Sequence, residues 1–266
     1  MRYNLINKKT KTCVLTIAGS DCCGGAGLQA DIKVINYYGL WAASIVTCVT
    51  AQNNEKFYEL KSLSSKIITK QITAVCQYYQ VKAVKIGMVY NQNIIRTIIK
   101  QIFHNKLTNI VLDPLLFSST GKALIKKHAY YLLQKKLIPF CSLLTPNLIE
   151  AGYLLDNRLI TLKNIKQVII DIYHKFNVPV LLKGGHQTKN GVKSDTCIDL
   201  FYAGEKIEIF PSSRFNSRKI LHGTGCLLSS AITANLALGK NLSNSIKLAK
   251  KFLTQQIKNE NPIFFN

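Results

Sequence analysis

The amino-acid sequence predicts an α/β fold, in which a mostly parallel central sheet carries helices on both faces. Apolar strand-like runs alternate with helix-like periodic segments, and this alternation implies right-handed crossovers between parallel strands. The length of 266 residues is enough for one large core. No repeat, low-complexity segment or linker divides the chain. We therefore expect a single domain over residues 1–266, with its motifs within 13–240.

Each predicted element is bounded by turn residues or by a change of hydrophobic period. The predicted strands are Cys13–Ser20, Trp41–Thr50, Val81–Met88, Asn109–Leu115, Leu143–Thr145, Val178–Lys183, and a hairpin of Ile198–Tyr202 with Glu205–Phe210. The predicted helices are one with Leu28, Ile32 and Ile35 on one face, then Ser64–Tyr79, Ile94–Phe103, Lys122–Gln134, Leu148–Leu155, Leu162–Phe176, Thr224–Ala237 and Leu242–Lys258. The polar segment Ala51–Leu63 is interpreted as an irregular small flap.

Composition narrows the class of protein. The formal charge is +22, but the lysines are scattered and no aromatic residues are interleaved with arginines in a stripe. Lysine on solvated faces explains this charge better than a nucleic-acid partner does. The uncharged stretch Val34–Asn54 contains polar residues and glycine, so it does not predict a membrane span. The first nine residues lack the apolar core of a signal peptide, and we expect a cytoplasmic protein with reduced thiols.

The most informative motif is His222-Gly223-Thr224-Gly225-Cys226, which leads directly into a helix-like run. The first backbone N–H groups of a helix have no intrahelical partner and favour negative charge, so the turn is a candidate phosphate or oxyanion site. Cys226 lies in the same turn, where a thiol pKa is expected to fall below its free value of about 8.5. The alternative is an ordinary turn with a buried cysteine.

Further motifs follow the predicted strands, where ligands bind in parallel sheets. They are Gly19–Gly27, Gly87-Met88, Asp113-Pro114, Thr145-Pro146-Asn147 and Lys183-Gly184-Gly185-His186. The first of these is neither a P-loop nor a dinucleotide fingerprint. Their shared position predicts one site along this edge of the sheet.

Each candidate side chain also has a structural interpretation. Asp31 either accepts hydrogen bonds from a polar ring or is a solvated helix acid. Asn147 and Glu150 either organise hydrated Mg²⁺ or form a capping box at a helix start. Lys183 either neutralises phosphate or simply ends a strand, and Asp113 is either functional or a turn residue before proline.

With these residues in order, the chain resembles the hydroxymethylpyrimidine/phosphomethylpyrimidine kinases of thiamine biosynthesis, in the ribokinase-like superfamily. The matching segments are Thr16–Asp21, Gly24–Gly27, Gln29–Asp31, Ala51–Asn53, Lys85–Met88, Val111–Asp113, Thr145–Asn147 with Glu150, Leu182–His186 and His222–Cys226. The resemblance implies a ribokinase-like, dimeric enzyme. It would use ATP and Mg²⁺ to phosphorylate 4-amino-5-hydroxymethyl-2-methylpyrimidine and then its monophosphate.

Carried over by position, the resemblance assigns a role to each motif. Residues for the pyrimidine pocket would be Gly19, Asp31, Gln52 and Met88, with Leu115 as an apolar wall. Residues for the phosphoryl group would be Gly223, Thr224, Gly225 and Cys226 as an anion hole, with Cys226 as the base, Lys183 on the ATP phosphates and Asp113 in the metal and phosphate region. Glu150 and Asn147 would serve magnesium.

Two departures and two competing functions accompany this resemblance. Most relatives carry Pro-Ser where this chain has Cys22-Cys23, and Leu115 is bulkier than expected. A pyridoxine or pyridoxal kinase is a close alternative because related kinases share the cysteine turn. A basic nucleic-acid-binding protein on a kinase scaffold is the alternative from another class.

Overall fold

The computed structural model describes residues 11–53, 55–118, 121–161, 163–184, 188–189, 192–193, 196–213, 223–259, 261 and 263–264. The predictions made for the N-terminal nine residues, Gly185, His186 and His222 lie outside the described residues. No helix among the described residues is long and apolar enough to cross a membrane.

A nine-stranded sheet forms the centre of the structure. Its strands belong to a set numbered in chain order as β1 (Thr12–Asp21), β2 (Ala42–Gln52), β3 (Phe57–Ser62), β4 (Gln80–Ile86), β5 (Ile110–Leu112), β6 (Leu143–Leu144), β7 (Val180–Leu182), β8 (Thr188–Lys189), β9 (Val192–Lys193), β10 (Thr196–Tyr202) and β11 (Glu208–Ser213). The sheet order is β11-β10-β7-β6-β5-β4-β1-β2-β3, and β8 pairs with β9 separately. The six strands from β7 to β2 run parallel, while β3, β10 and β11 add antiparallel edges.

Eight α-helices cover the sheet in the described residues. They are α1 (Gly27–Tyr37), α2 (Ser65–Tyr78), α3 (Gln92–Asn105), α4 (Lys127–Leu132), α5 (Leu148–Leu154), α6 (Ile165–Phe176), α7 (Thr224–Ala237) and α8 (Leu242–Lys258). Buried residues of α1, α7 and α8 form one apolar cluster with alternate strand residues such as Ala83 and Val111. Residues of α2 to α6 form a second cluster with strand residues such as Leu15 and Val84. The predicted two-layer covering of a mostly parallel sheet is confirmed.

Two predicted elements differ in the structure. The segment Ala51–Leu63 is not irregular, because β2 continues to Gln52 and β3 pairs antiparallel with it. Cross-strand hydrogen bonds therefore outweigh the polar composition that suggested a loop. The helix predicted over Lys122–Gln134 begins only at Lys127, and a π turn and a 3₁₀ turn continue it to Phe140.

The topology places the carboxyl ends of β1, β2, β4, β5, β6 and β7 along one edge of the sheet. Helix α7 packs against α1, α8 and the middle strands, and its N-terminus follows the phosphate-type turn found in the sequence. The fold thus brings six strand ends and one helix start within reach of a common ligand.

Candidate active site

The start of α7 is held against the loop between β1 and α1. Gly223 is the N-cap and has a φ of 86°, a left-handed conformation that favours glycine. A Cβ at Gly223 would lie only 1.9 Å from the carbonyl oxygen of Gly25. Any side chain at this position would therefore separate the helix start from the glycine-rich loop. The two sequence motifs therefore lie directly against each other at this edge of the sheet.

Lys183 and Asp113 form an ion pair, called here the edge pair, beside the start of α7. The Lys183 ammonium donates to Asp113 Oδ1 at 2.7 Å, and the side chains are 13% and 0% exposed. Thr145 also donates to this carboxylate, at 3.2 Å. A Cβ at Gly225 would lie 3.3 Å from the Lys183 ammonium, so the glycine leaves the cation next to the helix N-terminus. The ends of β5, β6 and β7 thus place one buried charge pair directly beside the start of α7.

The edge pair is charged in the folded protein. Burial alone would raise the pKa of Asp113, but the positive charges of Lys183 and Lys85 hold it below its usual value. Burial likewise opposes the charge on Lys183, but the carboxylates of Asp113 and Glu150 raise its pKa. The site therefore offers a fixed cation beside the N-terminus of α7.

Asn147 and Glu150 form the capping box that the sequence allowed at the start of α5. The Asn147 Oδ1 accepts from the Glu150 N–H at 2.9 Å, and Glu150 Oε2 accepts from the Asn147 N–H at 2.8 Å. Asn147 also forms a parallel bridge with Lys183, which brings this helix start to the edge pair. Burial, the leading cause, raises the Glu150 pKa to about 7, and Asp113 adds to the rise while Lys183 opposes it. The Glu150 side chain is 2% exposed. With this pKa its carboxyl group is only partly ionised at neutral pH.

The structure buries Cys226, and burial does not favour the activated thiol that the sequence led us to expect. Its side chain is 4% exposed, and burial raises its pKa to about 11 although Lys85 lowers it. The negative charges of Asp31 and Asp113 contribute to the rise. Burial therefore favours the protonated form of the Cys226 thiol near pH 7.

Asp31 is paired within the protein, and its side chain is not exposed as we expected for a residue that lines a substrate pocket. It is fully buried, and Lys85 lies 2.9 Å from each of its carboxylate oxygens. Thr16 and Ser230 donate to the same carboxylate at 2.6 and 2.7 Å. We call Lys85 and Asp31 the inner pair, and it ties β1, β4, α1 and α7 together below the site.

Lys85 was missed as an individual residue by the sequence interpretation. The signal was present, since a lysine stands in the otherwise apolar end of β4, where neighbours Val84 and Ile86 are fully buried. Burial lowers a lysine pKa, but Asp31 outweighs that effect and keeps Lys85 charged. A buried cation requires such a partner. The strand pattern predicts that Lys85 is buried, but it does not identify Asp31 as the partner.

The remaining pocket candidates lie along the same strand ends. A Cβ at Gly19 would lie 2.9 Å from the Met88 sulfur, so glycine allows the end of β1 to approach Met88. Thr47 of β2 donates to the Met88 carbonyl at 2.8 Å. Gln52 ends β2 and is partly exposed, while partly buried Leu115 follows β5 and packs against both apolar clusters. These four residues lie on the side of the edge formed by β1, β2, β4 and β5.

Known proteins are similar to this chain in sequence and in fold. The family model for phosphomethylpyrimidine kinase matches residues 21–264. A hydroxymethylpyrimidine/phosphomethylpyrimidine kinase of Aquifex aeolicus is 34% identical over 245 residues, which are 92% of this chain and 94% of that protein. The crystal structure of phosphomethylpyrimidine kinase from Clostridium difficile has a TM-score of 0.80 and 35% identity, and covers 93% of this chain and 100% of its own.

A related vitamin kinase is equally similar in fold. The ADP complex of Bacillus subtilis pyridoxal kinase has a TM-score of 0.82 and 30% identity, and covers 94% of this chain and 92% of its own. These structures confirm the ribokinase-like fold that the motifs implied. The length and identity of the matches establish that this chain belongs to the phosphomethylpyrimidine kinase family.

Proposed function

We propose that this kinase transfers the γ-phosphoryl group of ATP to the hydroxymethyl group of 4-amino-5-hydroxymethyl-2-methylpyrimidine, and then phosphorylates the monophosphate to the diphosphate. Its family membership supports this reaction in thiamine biosynthesis. The single observation that carries the proposal is the edge pair of Lys183 and Asp113 beside Gly225 at the start of α7. This arrangement combines a fixed cation with helix N–H donors, which is what a transferring phosphoryl group requires.

ATP is the proposed phosphoryl donor, and Lys183 and Thr224 are the residues we assign to its phosphates. The solved ADP complex of the Bacillus subtilis relative supports the use of an adenine nucleotide by this fold. Lys183 stays charged, and the N-terminal turn of α7 supplies backbone donors around Thr224 and Gly225. We assign Asp113 the role of holding the Lys183 ammonium in place.

The residues at α5 fit a magnesium ion. Glu150 keeps a buried carboxyl group beside Asp113, and a cation would relieve the unfavourable burial of its negative charge. Carboxylate oxygens and retained water are the ligands that magnesium prefers. We assign Glu150 to the ion and Asn147 to the orientation of Glu150 through the capping box. When bound, Mg²⁺ would neutralise charge on the ATP phosphates.

We place the pyrimidine at the strand ends of β1, β2 and β4, among Gly19, Gln52 and Met88, with Leu115 as an apolar wall. The Gln52 side chain can both donate and accept hydrogen bonds, as the edge of an aminopyrimidine requires. We assign no such contact to Asp31, because its carboxylate is fully buried in the inner pair.

Cys226 is assigned to the wall of the anion hole as a neutral thiol. A base role needs a thiolate, and its pKa of about 11 disfavours that form. Phosphoryl transfer asks little covalent chemistry of the protein, so positioning and electrostatic stabilisation carry the rate. We propose no phosphocysteine intermediate.

The test is product formation by the purified chain with ATP and magnesium, using the hydroxymethylpyrimidine, its monophosphate and pyridoxal as separate acceptors. We expect diphosphate from both pyrimidines and a lower kcat/KM for pyridoxal. A higher kcat/KM for pyridoxal would favour a pyridoxal kinase activity. The structurally similar Bacillus subtilis protein is named as such a kinase. No turnover of any acceptor, with salt-sensitive binding of nucleic acid, would instead favour the basic binding protein.

A homodimer in the cytoplasm completes the proposal. It follows from the family resemblance and not from a contact in the structure. Sedimentation of the purified chain at several concentrations would measure its oligomeric state.

A further inference from the structure

Two adjacent cysteines lie at the mouth of the candidate site, and the proposed kinase reaction uses neither of them. Cys22 and Cys23 directly follow β1, and both are exposed. Their sulfur atoms lie 3.1 and 3.0 Å from the same acceptor, the carbonyl oxygen of Gln52. The Gln52 N–H donates back to the Cys22 sulfur at 3.4 Å. Neighbouring side chains of an extended chain point apart, so this convergence is a property of the turn.

The turn that carries the two thiols is held from several sides. The Gly24 N–H donates to the Asp21 carbonyl at 3.0 Å, which closes the turn around the cysteines. The Asp21 carboxylate accepts from the N–H groups of Cys23, Gly25 and Ala26 at 3.2, 3.1 and 2.9 Å. These hydrogen bonds hold the backbone of the turn that carries both thiols.

We propose that Cys22 and Cys23 form a chelating site for thiophilic ions that bind two thiolates, with trivalent arsenic as the representative, and that occupancy of this site inhibits the kinase. The two sulfurs and an Asp21 carboxylate oxygen all lie within 4.8 Å of one another. Thiolates select soft ions. A ligand that bridges both sulfurs fits because one carbonyl oxygen already sits within hydrogen-bond distance of both.

A tetrahedral zinc site does not fit these residues as well. Structural zinc requires four protein ligands, and the described part of the chain offers only Asp21 beside the two cysteines. The Asp21 carboxylate is already committed to three backbone donors of its own loop. Two sulfurs without further strong ligands favour an ion of low coordination number.

A disulfide between the two residues also fits less well. The Cα atoms of residues joined by a trans peptide lie about 3.8 Å apart, below the usual disulfide range of about 4.4–6.8 Å. Forming the bond would distort the turn that Asp21 holds. Chelation adds an atom between the sulfurs and needs no oxidant.

Inhibition follows from what the loop touches. The same loop places the Gly25 carbonyl against Gly223 at the start of α7, and the thiols contact the backbone of Gln52, a proposed pyrimidine ligand. A bulky group on the two sulfurs would take the place of the contacts to Gln52. It would also occupy the entrance from which we expect the pyrimidine to bind.

Phenylarsine oxide is the probe for this site. Two As–S bonds form, the bond between arsenic and oxygen breaks, and the oxygen leaves with the two thiol protons as water, without oxidation of either partner. The full-length chain is treated with the probe in excess 2-mercaptoethanol and measured by intact mass and kinase activity. We expect one phenylarsenic group per chain and loss of kinase activity. Addition of 2,3-dimercaptopropanol should remove the group, restoring the original mass and the activity.

Single substitutions test the assignment. Cys22→Ser and Cys23→Ser should each weaken binding and inhibition by the probe by on the order of 100-fold, because the second bond is then no longer intramolecular. Cys226→Ala is the control for the anion-hole thiol and should still form the adduct. Thermal unfolding of each variant shows that the chain remains folded.

Three outcomes would overturn the inference. Absence of an adduct in the unmodified chain, or an equally tight adduct in either serine variant, would remove the site. A full adduct with unchanged kinase activity would remove the proposed inhibition.

Discussion

The protein contains two buried lysine–aspartate pairs, and they differ in whether the buried charge stabilises the fold or is available to a ligand. The inner pair of Lys85 and Asp31 is completely buried, and hydroxyl groups of Thr16 and Ser230 complete the hydrogen bonds of its carboxylate. The edge pair of Lys183 and Asp113 keeps a partly exposed cation beside the start of α7. Exposure of the lysine, and not burial of the aspartate, distinguishes the two.

This difference in lysine exposure indicates whether a buried ion pair contributes mainly to stability or to ligand binding. In the inner pair both charges are matched within the protein, and the two fully buried side chains hold four elements together. In the edge pair, glycine at position 225 leaves room next to the cation. We therefore expect the inner pair to control stability and the edge pair to control activity.

The largest expected effect is on stability, from Lys85→Met. Removing one partner leaves the Asp31 carboxylate buried without its counter-charge, which costs about 3–5 kcal/mol of unfolding free energy. Urea denaturation measures this loss. The matched control is Lys175→Met, which breaks the exposed pair with Asp156 and should cost less than about 1 kcal/mol.

A second variant separates charge from shape. The double substitution Lys85→Met with Asp31→Asn removes both charges, so we expect it to be more stable than Lys85→Met alone. Equal losses for Lys85→Met and Lys175→Met would show that the inner pair contributes no more than a surface pair.

The next effect is on catalysis, from Lys183→Met. Loss of a fixed cation at the transferring phosphoryl group should lower kcat by about 10²–10³-fold. Steady-state kinetics with ATP and the hydroxymethylpyrimidine measure it, and circular dichroism verifies folding.

The chain offers a matched control for this variant. Lys250 pairs with Asp199 at similarly low exposure, 11% and 8%, but it lies on α8. Lys250→Met should change kcat by far less than Lys183→Met. Similar losses in both variants would mean that the edge pair acts on the fold and not on the phosphoryl group.

The comparison also shows what the sequence could predict. Alternating strands and helices predicted the sheet, and the strand-end rule correctly brought Asp113 and Lys183 together at one edge. The inner pair could not be predicted, because Lys85 and Asp31 are separated by 54 positions and meet only through packing. Ser230, which donates to the same carboxylate, lies 199 positions from Asp31. The raised Cys226 pKa was missed for the same reason, since burial is a tertiary property. The capping box at Asn147 was visible because it is local.

A smaller effect concerns the acid beside the edge pair. The folded-state pKa of Glu150 is raised from 4.5 to about 7, so the native state holds a proton that the unfolded chain loses. Stability from this group is present below pH 4.5 and is lost as the pH rises to about 7. Glu150→Gln keeps a residue suited to the capping box and removes this pH dependence.

The measurement is the unfolding free energy of both proteins between pH 4.5 and 8 with a metal chelator present. From low to high pH, the unmodified chain should lose about 3 kcal/mol relative to Glu150→Gln. Added magnesium at pH 8 should stabilise the unmodified chain more than the variant. Parallel pH curves for the two proteins would contradict the raised pKa.

The smallest expected effect is that of Cys226→Ala on kcat. Its thiol lies near both pairs, and the raised pKa leaves it protonated at the pH of the assay. A general base typically raises the rate by at least about 10²-fold. Removing a thiol that is neutral and does not act as a base should therefore lower kcat by less than that. The pH profile of kcat should keep its shape, because no thiolate contributes to it. A loss of thousandfold, together with the disappearance of an ionisation from the profile, would instead make Cys226 the base. In that case the bound substrate would have to provide the positive charge or hydrogen bonds that lower its pKa, and the anion hole would be complete only in the complex.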